Sequence, residues 1–169
     1  MKSKRKEVNA QMKDFDSLFQ QLNPMVYRYL LSLSGDSDLA AELTSETFYQ
    51  AYLHIDRFRG DCKVETWLCQ IAKNAYFKEM KRRNRHSELT EQEDSSNFVD
   101  SLSDREQALQ LHRQLHLLQE PYREVFMLRV FGELSFKEIA QVCGKGESWA
   151  KVTFYRAKDK LLSAMEGEQ

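Results

Sequence analysis

A short stretch near the carboxyl end of the chain, GKGESWAKVTFYRAKDKL (144–161), combines five cations, two anions and three aromatic residues. In a helix, apolar residues spaced four, three and four positions apart fall on one side, and these are Ala150, Phe154, Ala157 and Leu161. A neighbouring face holds Ser148, Lys151, Val152, Tyr155 and Arg156. This face is too polar to be buried and too mixed for an ordinary solvated surface. It suits a helix in the major groove of DNA, where Lys and Arg reach base edges or phosphates.

A second candidate group lies in the segment 63–85. Its cations alternate with an amide and an aromatic ring, a combination that binds unpaired bases through charge and stacking. The members are Lys63, Lys73, Asn74, Phe77, Lys78 and Lys81. The alternative is that Phe77 and its neighbour Tyr76 pack against the first helix of the chain.

Charge is distributed in blocks. Residues 63–85 have a net charge of +5, residues 86–106 of −6 and residues 144–161 of +3, although the whole chain has a net charge of only −1. A single basic block is explained equally well by a solvated helix face. Two basic blocks in separate helical units favour nucleic-acid binding.

The elements that must position these residues are helices, because Gly (6) and Pro (2) are scarce among the 169 residues. Helical spacing of apolar residues extends from Asp14 to Leu33, and Pro24 is expected to kink or interrupt that helix. The segment SGDSD (34–38) supplies a Gly stop and an Asp or Ser N-cap for a second helix over 39–58. Its predicted apolar positions are Leu39, Leu43, Phe48, Ala51, Tyr52 and Ile55. A third helix follows the break at 59–61, with Val64, Leu68, Ile71 and Ala75 as its core stripe.

The second half of the chain predicts a helix-turn-helix. Amphipathic helices are expected over 105–118 and 121–132, with Pro121 in a first turn. Ser135 and Glu138 have the spacing of a capping box and begin a short helix. The turn CGKG (143–146) then leads into the helix with which this section began.

The predicted fold class is therefore all-α, with two small helical domains joined by a flexible acidic linker. The linker is the polar, Ser-rich segment 86–104, which has no helical apolar periodicity. The domains are expected at 14–85 and 105–165, and the second contains the helix-turn-helix.

Several classes of protein are disfavoured. No run approaches the roughly 18–20 apolar residues of a spanning helix, and no apolar stretch follows the basic N-terminus as in a secretory signal. Three cysteines without CxxC spacing indicate reduced thiols, and we expect a cytoplasmic location. His112 and His116 are expected to be surface residues, since no third metal ligand accompanies them. Cys62 has little near it beyond Lys63 to lower its thiol pKa. No catalytic residues, metal, cofactor or small-molecule substrate are predicted.

The chain resembles the extracytoplasmic-function (ECF) sigma factors of bacterial RNA polymerase, in the sigma-70 superfamily. VYRYLLSLSGDSDLAAELTSETFYQAYLHIDRFRGDCKVETWLCQIAKN is similar to region 2 of that family, and EPYREVFMLRVFGELSFKEIAQVCGKGESWAKVTFYRAKDKL is similar to region 4. The resemblance implies an alternative sigma factor that is not an enzyme by itself. Such a protein binds the β′ and β subunits of core RNA polymerase, recognises the −10 and −35 elements of promoter DNA and initiates transcription of a stress or envelope-response regulon.

By position, the resemblance also implies residue roles. It places Leu43, Ser45, Glu46 and Tyr49 against polymerase. The loop that captures a flipped −10 base spans 59–64, and the residues predicted for this element are Arg59, Asp61, Lys63, Asn74, Phe77 and Lys78. The residues predicted for the −35 element are Ser148, Trp149, Lys151, Val152, Tyr155 and Arg156. Ser45 and Gly146 depart from the family's usual Gln and Ser or Thr, and Trp149 replaces a smaller residue and either packs on the sugar-phosphate backbone or fills the turn.

Two other functions remain as alternatives. One is a helix-turn-helix transcriptional activator that is not a sigma factor, and the other is an adaptor that contacts only proteins. The resemblance further implies control by an anti-sigma factor, often membrane-anchored. The acidic linker could cover the basic faces, but salt screens the attraction between them beyond about 8 Å at physiological ionic strength. We therefore expect a protein inhibitor, rather than self-inhibition, to dominate.

Overall fold

The computed structural model describes residues 2–87 and 102–167, all of whose regular elements are helical. The first module consists of α1 (Lys2–Ser34), α2 (Ser37–His54), a 3₁₀ turn (Ile55–Arg57) and α3 (Val64–Ser87). The second consists of α4 (Leu102–Leu117), α5 (Tyr122–Val130), α6 (Phe136–Cys143) and α7 (Glu147–Gly167). Of the predicted linker 86–104, residues 88–101 lie outside the described part, while its two ends continue α3 and begin α4.

The three helices of the first module pack against one another around a core supplied by each of them. Its fully buried side chains include Val26, Tyr29, Leu30, Leu68 and Cys69. The turn before α2 forms as its sequence predicts: Gly35 adopts φ +66°, and the Asp36 carboxylate accepts hydrogen bonds from the N–H groups of Asp38 and Leu39 at 2.9 and 3.1 Å.

Pro24 does not interrupt α1, which continues through it, so of the two effects expected of this proline, a kink or an interruption, the interruption is wrong. A proline inside a helix removes a backbone hydrogen bond and crowds the preceding turn. Here packing on both sides of Pro24 offsets that cost. Phe15 and Phe19, nine and five residues earlier, meet the ring of Phe48 at centroid distances of 6.4 and 4.8 Å, and Val26 is fully buried two residues after Pro24.

The second module places α7 against α4, α5 and α6. The capping box at α6 is confirmed: the Ser135 N–H donates to Glu138 Oε2 at 2.7 Å, and the Glu138 N–H donates to Ser135 Oγ at 3.3 Å. Gly144 ends α6 with φ +64°, which turns the chain towards α7. Ile139 is fully buried under this turn. The two helices α6 and α7 form the predicted helix-turn-helix.

The two modules contact each other directly, through α3 with α6 and α1 with α5. Three ion pairs join them in the described part of the chain: Arg28–Glu133 at 3.1 Å, Lys63–Glu138 at 3.2 Å, and Lys73–Glu124. The two predicted modules are therefore packed against each other in this structure. None of the helices within residues 2–87 and 102–167 has both the length and the apolar character needed to cross a membrane.

Candidate nucleic-acid and polymerase interfaces

The face of α7 predicted to read DNA is exposed along its length. We call it the recognition face, and its residues are Ser148, Lys151, Val152, Tyr155 and Arg156. Even its apolar members remain half open, with Val152 at 47% and Tyr155 at 49% of their maximal exposure. Exposed apolar side chains that lie together on one helix face are typical of a contact surface.

The opposite side of α7 fixes the recognition face in place. Ala150 and Ala157 are fully buried and Thr153 is 5% exposed, so a small-residue seam lets α7 approach the other helices closely. The Phe154 ring stacks on Phe126 at 5.6 Å. Sequence spacing found Ala150, Phe154 and Ala157 but missed Thr153, because a hydroxyl residue gives no apolar signal.

Trp149 differs from the other residues predicted for the −35 element. Its side chain is only partly exposed and packs against the buried core. Of its two predicted roles, filling the turn fits this environment. Phe136, which the sequence did not single out, instead lies beside the recognition face, with its ring 6.2 Å from that of Tyr155. The Arg129 guanidinium in turn lies 4.9 Å from the Phe136 ring centroid, so both residues support the position of Tyr155.

The residues predicted to contact polymerase divide into two groups. Ser45, Glu46 and Tyr49 lie on the exposed side of α2, and Tyr49 is 57% exposed. We call these three residues the polymerase face. Leu43 is 5% exposed and packs in the core, as its predicted apolar position requires, at the base of the groove between α2 and α3, and its contact with polymerase stays a prediction. An apolar residue near the border between the buried and exposed faces of an amphipathic helix can lie on either face, and packing against the other helices decides which.

Two exposed residues extend the polymerase face beyond the prediction. Tyr52, predicted to be a core residue, is 45% exposed although its ring meets that of Phe15 at 5.4 Å, and Leu53 is 47% exposed. Together with Tyr49 they leave an apolar strip on the outside of α2. Sequence periodicity could not assign these side chains, because Tyr is compatible with both a core and a surface position.

The residues predicted for the −10 element lie in three places. Arg59 and Asp61 are exposed in the loop between the 3₁₀ turn and α3. Asn74 and Lys78 line the groove between α2 and α3 that also contains the polymerase face. Lys63 instead points towards the second module and pairs with Glu138.

Aromatic contacts hold the loop and its neighbours. Phe58 stacks on Trp67 with ring centroids 4.9 Å apart, which fixes the start of the loop on α3. Trp67 was not predicted to take part, although an aromatic residue one turn into α3 could have indicated this. Tyr76 packs against α1 rather than facing a nucleic acid, which was the alternative interpretation of this residue. Its hydroxyl donates a hydrogen bond to Leu33 O at 3.0 Å. Phe77 is partly exposed and meets Tyr76 edge to face at 5.5 Å.

Charge in the basic end of α3 is partly neutralised within the helix. Glu79 accepts hydrogen bonds from Arg82 at 2.7 and 2.8 Å and from Arg83 at 2.9 Å. These bonds lower the pKa of the Glu79 carboxyl to about 2. The charge that α3 offers to a nucleic acid is therefore smaller than its sequence count suggests, whereas Lys78 and Lys81 have no carboxylate partner in the described part of the chain.

The cysteines and histidines do not form a reactive centre within the described residues. Burial, reinforced by Asp61 and Glu138, raises the pKa of the Cys62 thiol, and burial raises the pKa of Cys69 to about 12. His112 and His116 are not the free surface residues expected: both are partly buried, their ring centroids lie 4.5 Å apart, and His112 adjoins Gly35 of the first module. No group of three or more His, Cys, Asp or Glu side chains in the described ranges could hold a metal ion.

Comparison with known families decides what these two modules are. The model for Sigma-70 region 2 matches residues 18–86, and the model for Sigma-70, region 4 matches residues 108–161. The chain belongs to the sigma-70 family. It is an alternative RNA polymerase sigma factor of the ECF type, and the activator hypothesis is not favoured, because both regions are present and in order. The family comprises transcription initiation factors rather than enzymes.

Three sigma-factor relatives support this assignment. The ECF RNA polymerase sigma factor SigM of Bacillus subtilis is 29% identical over 150 residues, covering 86% of this chain and 91% of the relative. The RNA polymerase sigma factor YlaC of the same species is 29% identical over 158 residues, with 89% and 91% covered. The ECF sigma factor BldN of Streptomyces coelicolor is 32% identical over 154 residues, which cover 85% of this chain and 57% of BldN.

Two solved structures share the fold. The sigma factor RpoE in complex with the anti-sigma factor NepR from Bartonella quintana superposes with a TM-score of 0.77 at 23% identity, covering 93% of this sigma factor and 99% of that chain. CnrH in complex with the cytosolic domain of CnrY superposes with a TM-score of 0.72 at 19% identity, covering 94% and 91%. These likenesses concern the arrangement of helices.

Proposed function

We propose that this sigma factor docks on core RNA polymerase through the polymerase face of α2 and reads the −10 element with the adjoining side of α3. The observation that supports this assignment is their common groove. Ser45, Glu46 and Tyr49 line it from α2, and Asn74 and Lys78 line it from α3. A polymerase segment seated in that groove would lie beside the DNA strand held by α3, so recognition would be coupled to docking.

Region 4 supplies the second contact. The recognition face of α7 enters the major groove of the −35 element, with Lys151 and Arg156 as donors and Val152 as an apolar contact. Trp149 is assigned to the turn because of its packing. The domain limits 14–85 and 105–165 are kept as the proposed boundaries, and the site of action is the cytoplasm, where polymerase and promoter DNA meet.

A charge reversal on α2 tests the docking role. Glu46 is exposed and, among the described residues, accepts a hydrogen bond from the Gln50 side chain at 2.8 Å within the same helix, so Glu46→Lys removes no core contact. We expect the folded variant to lose binding to purified core polymerase in a fluorescence anisotropy titration. Asp16→Lys makes the same change of charge on the exposed part of α1 and is the matched control. Equal affinities of wild type and Glu46→Lys would refute the docking role.

An anti-sigma factor is the proposed regulator. The sigma factor RpoE, which shares this fold, was co-crystallised with the anti-sigma factor NepR, and CnrH, which also shares the fold, was solved in complex with the cytosolic domain of CnrY. An anti-sigma factor would bind the exposed apolar strip of Tyr49, Tyr52 and Leu53. Core polymerase would bind the same strip. Such an inhibitor would therefore compete with core polymerase rather than bind alongside it.

A further inference from the structure

Two histidines lie side by side near the end of α4. His112 and His116 are four positions apart, which places them on the same side of the helix, and their ring centroids are 4.5 Å apart. Both side chains are partly buried, and Leu115 beside them is 1% exposed. This side of α4 therefore faces packed protein rather than open solvent. We call His112 and His116 the histidine pair.

Both rings of the histidine pair approach Gly35, the glycine with φ +66° that follows α1. A methyl group on Gly35 would lie 3.7 Å from His112 Nε2 and 3.8 Å from His116 Nε2. It would also lie 3.1 Å from His112 Cε1, which is closer than a carbon contact normally allows. The missing side chain at Gly35 thus lets two ring nitrogens come within 4 Å of one point.

The ends of two helices make this point favourable for a cation. Gly35 directly follows α1, whose last turn contains no basic side chain, and His116 lies in the last turn of α4. The carboxyl end of a helix carries a partial negative charge, which stabilises a cation placed close to it. Two such ends meet at the histidine pair, so a positive charge bound there would be stabilised by both.

The ring of His112 does not supply that positive charge itself. Burial lowers the pKa of His112, so its imidazole is neutral at neutral pH. A neutral imidazole is the form that binds a metal ion, and it suits zinc, copper, nickel and iron. Histidines at this spacing chelate zinc in HExxH helices. Here Arg113 follows the first histidine in place of the glutamate, so the arrangement supports binding of an ion rather than hydrolysis.

We propose that the histidine pair is a binding site for a divalent transition-metal ion of the zinc class, which would lie between the two rings beside Gly35. The Nε2 atoms of His112 and His116 are its protein ligands, and water completes the coordination. Structural zinc sites have four protein ligands and catalytic sites have three. A site with two exchanges its ion with the surroundings, so its occupancy follows the concentration of free metal.

Isothermal titration calorimetry with Zn²⁺ tests the site on the full chain, at neutral pH, with a reductant present and without a histidine tag. We expect wild type to bind one ion at this site. His112→Gln and His116→Gln should each weaken the affinity at least about tenfold, since even loss of an outer-shell partner costs that much. The chain has four histidines, and the other two are exposed on the first module. His54→Gln/His86→Gln is therefore the matched control and should change the affinity little.

Two further measurements locate the ion. Long-range ¹H–¹⁵N NMR spectra report the ring nitrogens directly, and Zn²⁺ should shift the Nε2 resonances of His112 and His116 but not those of His54 and His86. Gly35→Ala retains both ligands but places a methyl group against the His112 ring, so it should also weaken Zn²⁺ binding. Circular dichroism checks that every variant remains helical.

Several results would overturn the site. Wild-type affinity in His112→Gln or His116→Gln would show that the histidine pair does not hold the ion, and a loss of affinity confined to Cys62→Ser would place the ion on a thiol. Unchanged affinity in Gly35→Ala would contradict the position beside Gly35. If a glutamine variant fails to fold, the wild-type NMR spectra still decide, because ring nitrogens of His112 and His116 that do not respond to Zn²⁺ would refute the proposal.

Discussion

Arg156 gives the sharpest test of how the second module reads DNA. Its side chain is exposed on the recognition face, and no carboxylate pairs with it among the described residues. Binding DNA through Arg156 therefore does not require an existing ion pair to break. A guanidinium that makes a bidentate contact to guanine contributes about 1–3 kcal/mol of discrimination, which is roughly 5- to 150-fold in affinity.

The assay uses holoenzyme reconstituted from purified core polymerase. Promoters are first selected from fragmented genomic DNA by their binding to the wild-type holoenzyme, and single-base variants of the −35 element of one promoter are then compared. Arg156→Ala should lose affinity for the preferred base at one position and become indifferent to that base. Lys160→Ala is the matched control, because it removes the same charge from α7 at a position where the ammonium lies 5.2 Å from the Tyr122 ring centroid, away from the recognition face.

A second measurement separates a base contact from a phosphate contact. The slope of log affinity against log salt concentration decreases in magnitude by about 0.9 for each phosphate that the protein no longer neutralises. For a base contact, we expect the slope of Arg156→Ala to stay near that of wild type. If the variant instead weakens all −35 sequences equally and flattens the slope, Arg156 binds a phosphate and its assignment as a reader of bases is refuted.

Two further predictions concern stability. The Glu79 carboxyl has a folded pKa of about 2 because of Arg82 and Arg83, below its ordinary value of 4.5. The contribution of the Glu79 carboxylate to the free energy of unfolding is therefore complete above pH 4.5 and is lost as the pH falls towards 2. In urea denaturation, the free energies of unfolding of wild type and Glu79→Gln should therefore converge at low pH. A difference between them that grows on acidification would contradict this pKa. Ser135→Ala removes one half of the capping box and should cost about 0.5–2 kcal/mol in chemical denaturation, whereas Ser135→Thr should retain most of the stability. Equal losses in both variants would show that the hydroxyl does not cap α6.

The local elements could be predicted because their signals are local. Asp36 and Ser135 have side chains that hydrogen-bond to the next turn of backbone, so the start of each helix is determined by a few adjacent residues. The stripe on α7 follows from spacing alone, and Ala150 and Ala157 are buried as predicted. The recognition face is then what remains exposed, and its position could be inferred without knowing the rest of the fold.

The predictions that failed depended on neighbours far along the chain. Pro24 is tolerated because Phe48 and other residues of the first module hold the helix on both sides of it. Leu43 and Tyr52 are both predicted apolar positions of α2, yet Leu43 is buried as predicted and Tyr52 is exposed. Which of two borderline positions faces the core depends on how α1 and α3 pack against α2, and periodicity in α2 does not contain that information.

Charge counting along the sequence does not find the acids that pair the two modules. Residues 88–101 of the acidic block 86–106 lie outside the described part of the chain, and the described carboxylates that pair with the first module are Glu124, Glu133 and Glu138. These residues lie in α5, α6 and the turn between them, interspersed with cations, and therefore produce no net acidic block. A buried pair needs one carboxylate in the right position, since Coulomb attraction at about 3 Å in a poorly screened contact outweighs many charges spread over a solvated segment. The carboxylates that pair the two modules of this sigma factor are thus selected by helix packing, and a segment-by-segment sum of charges cannot locate them.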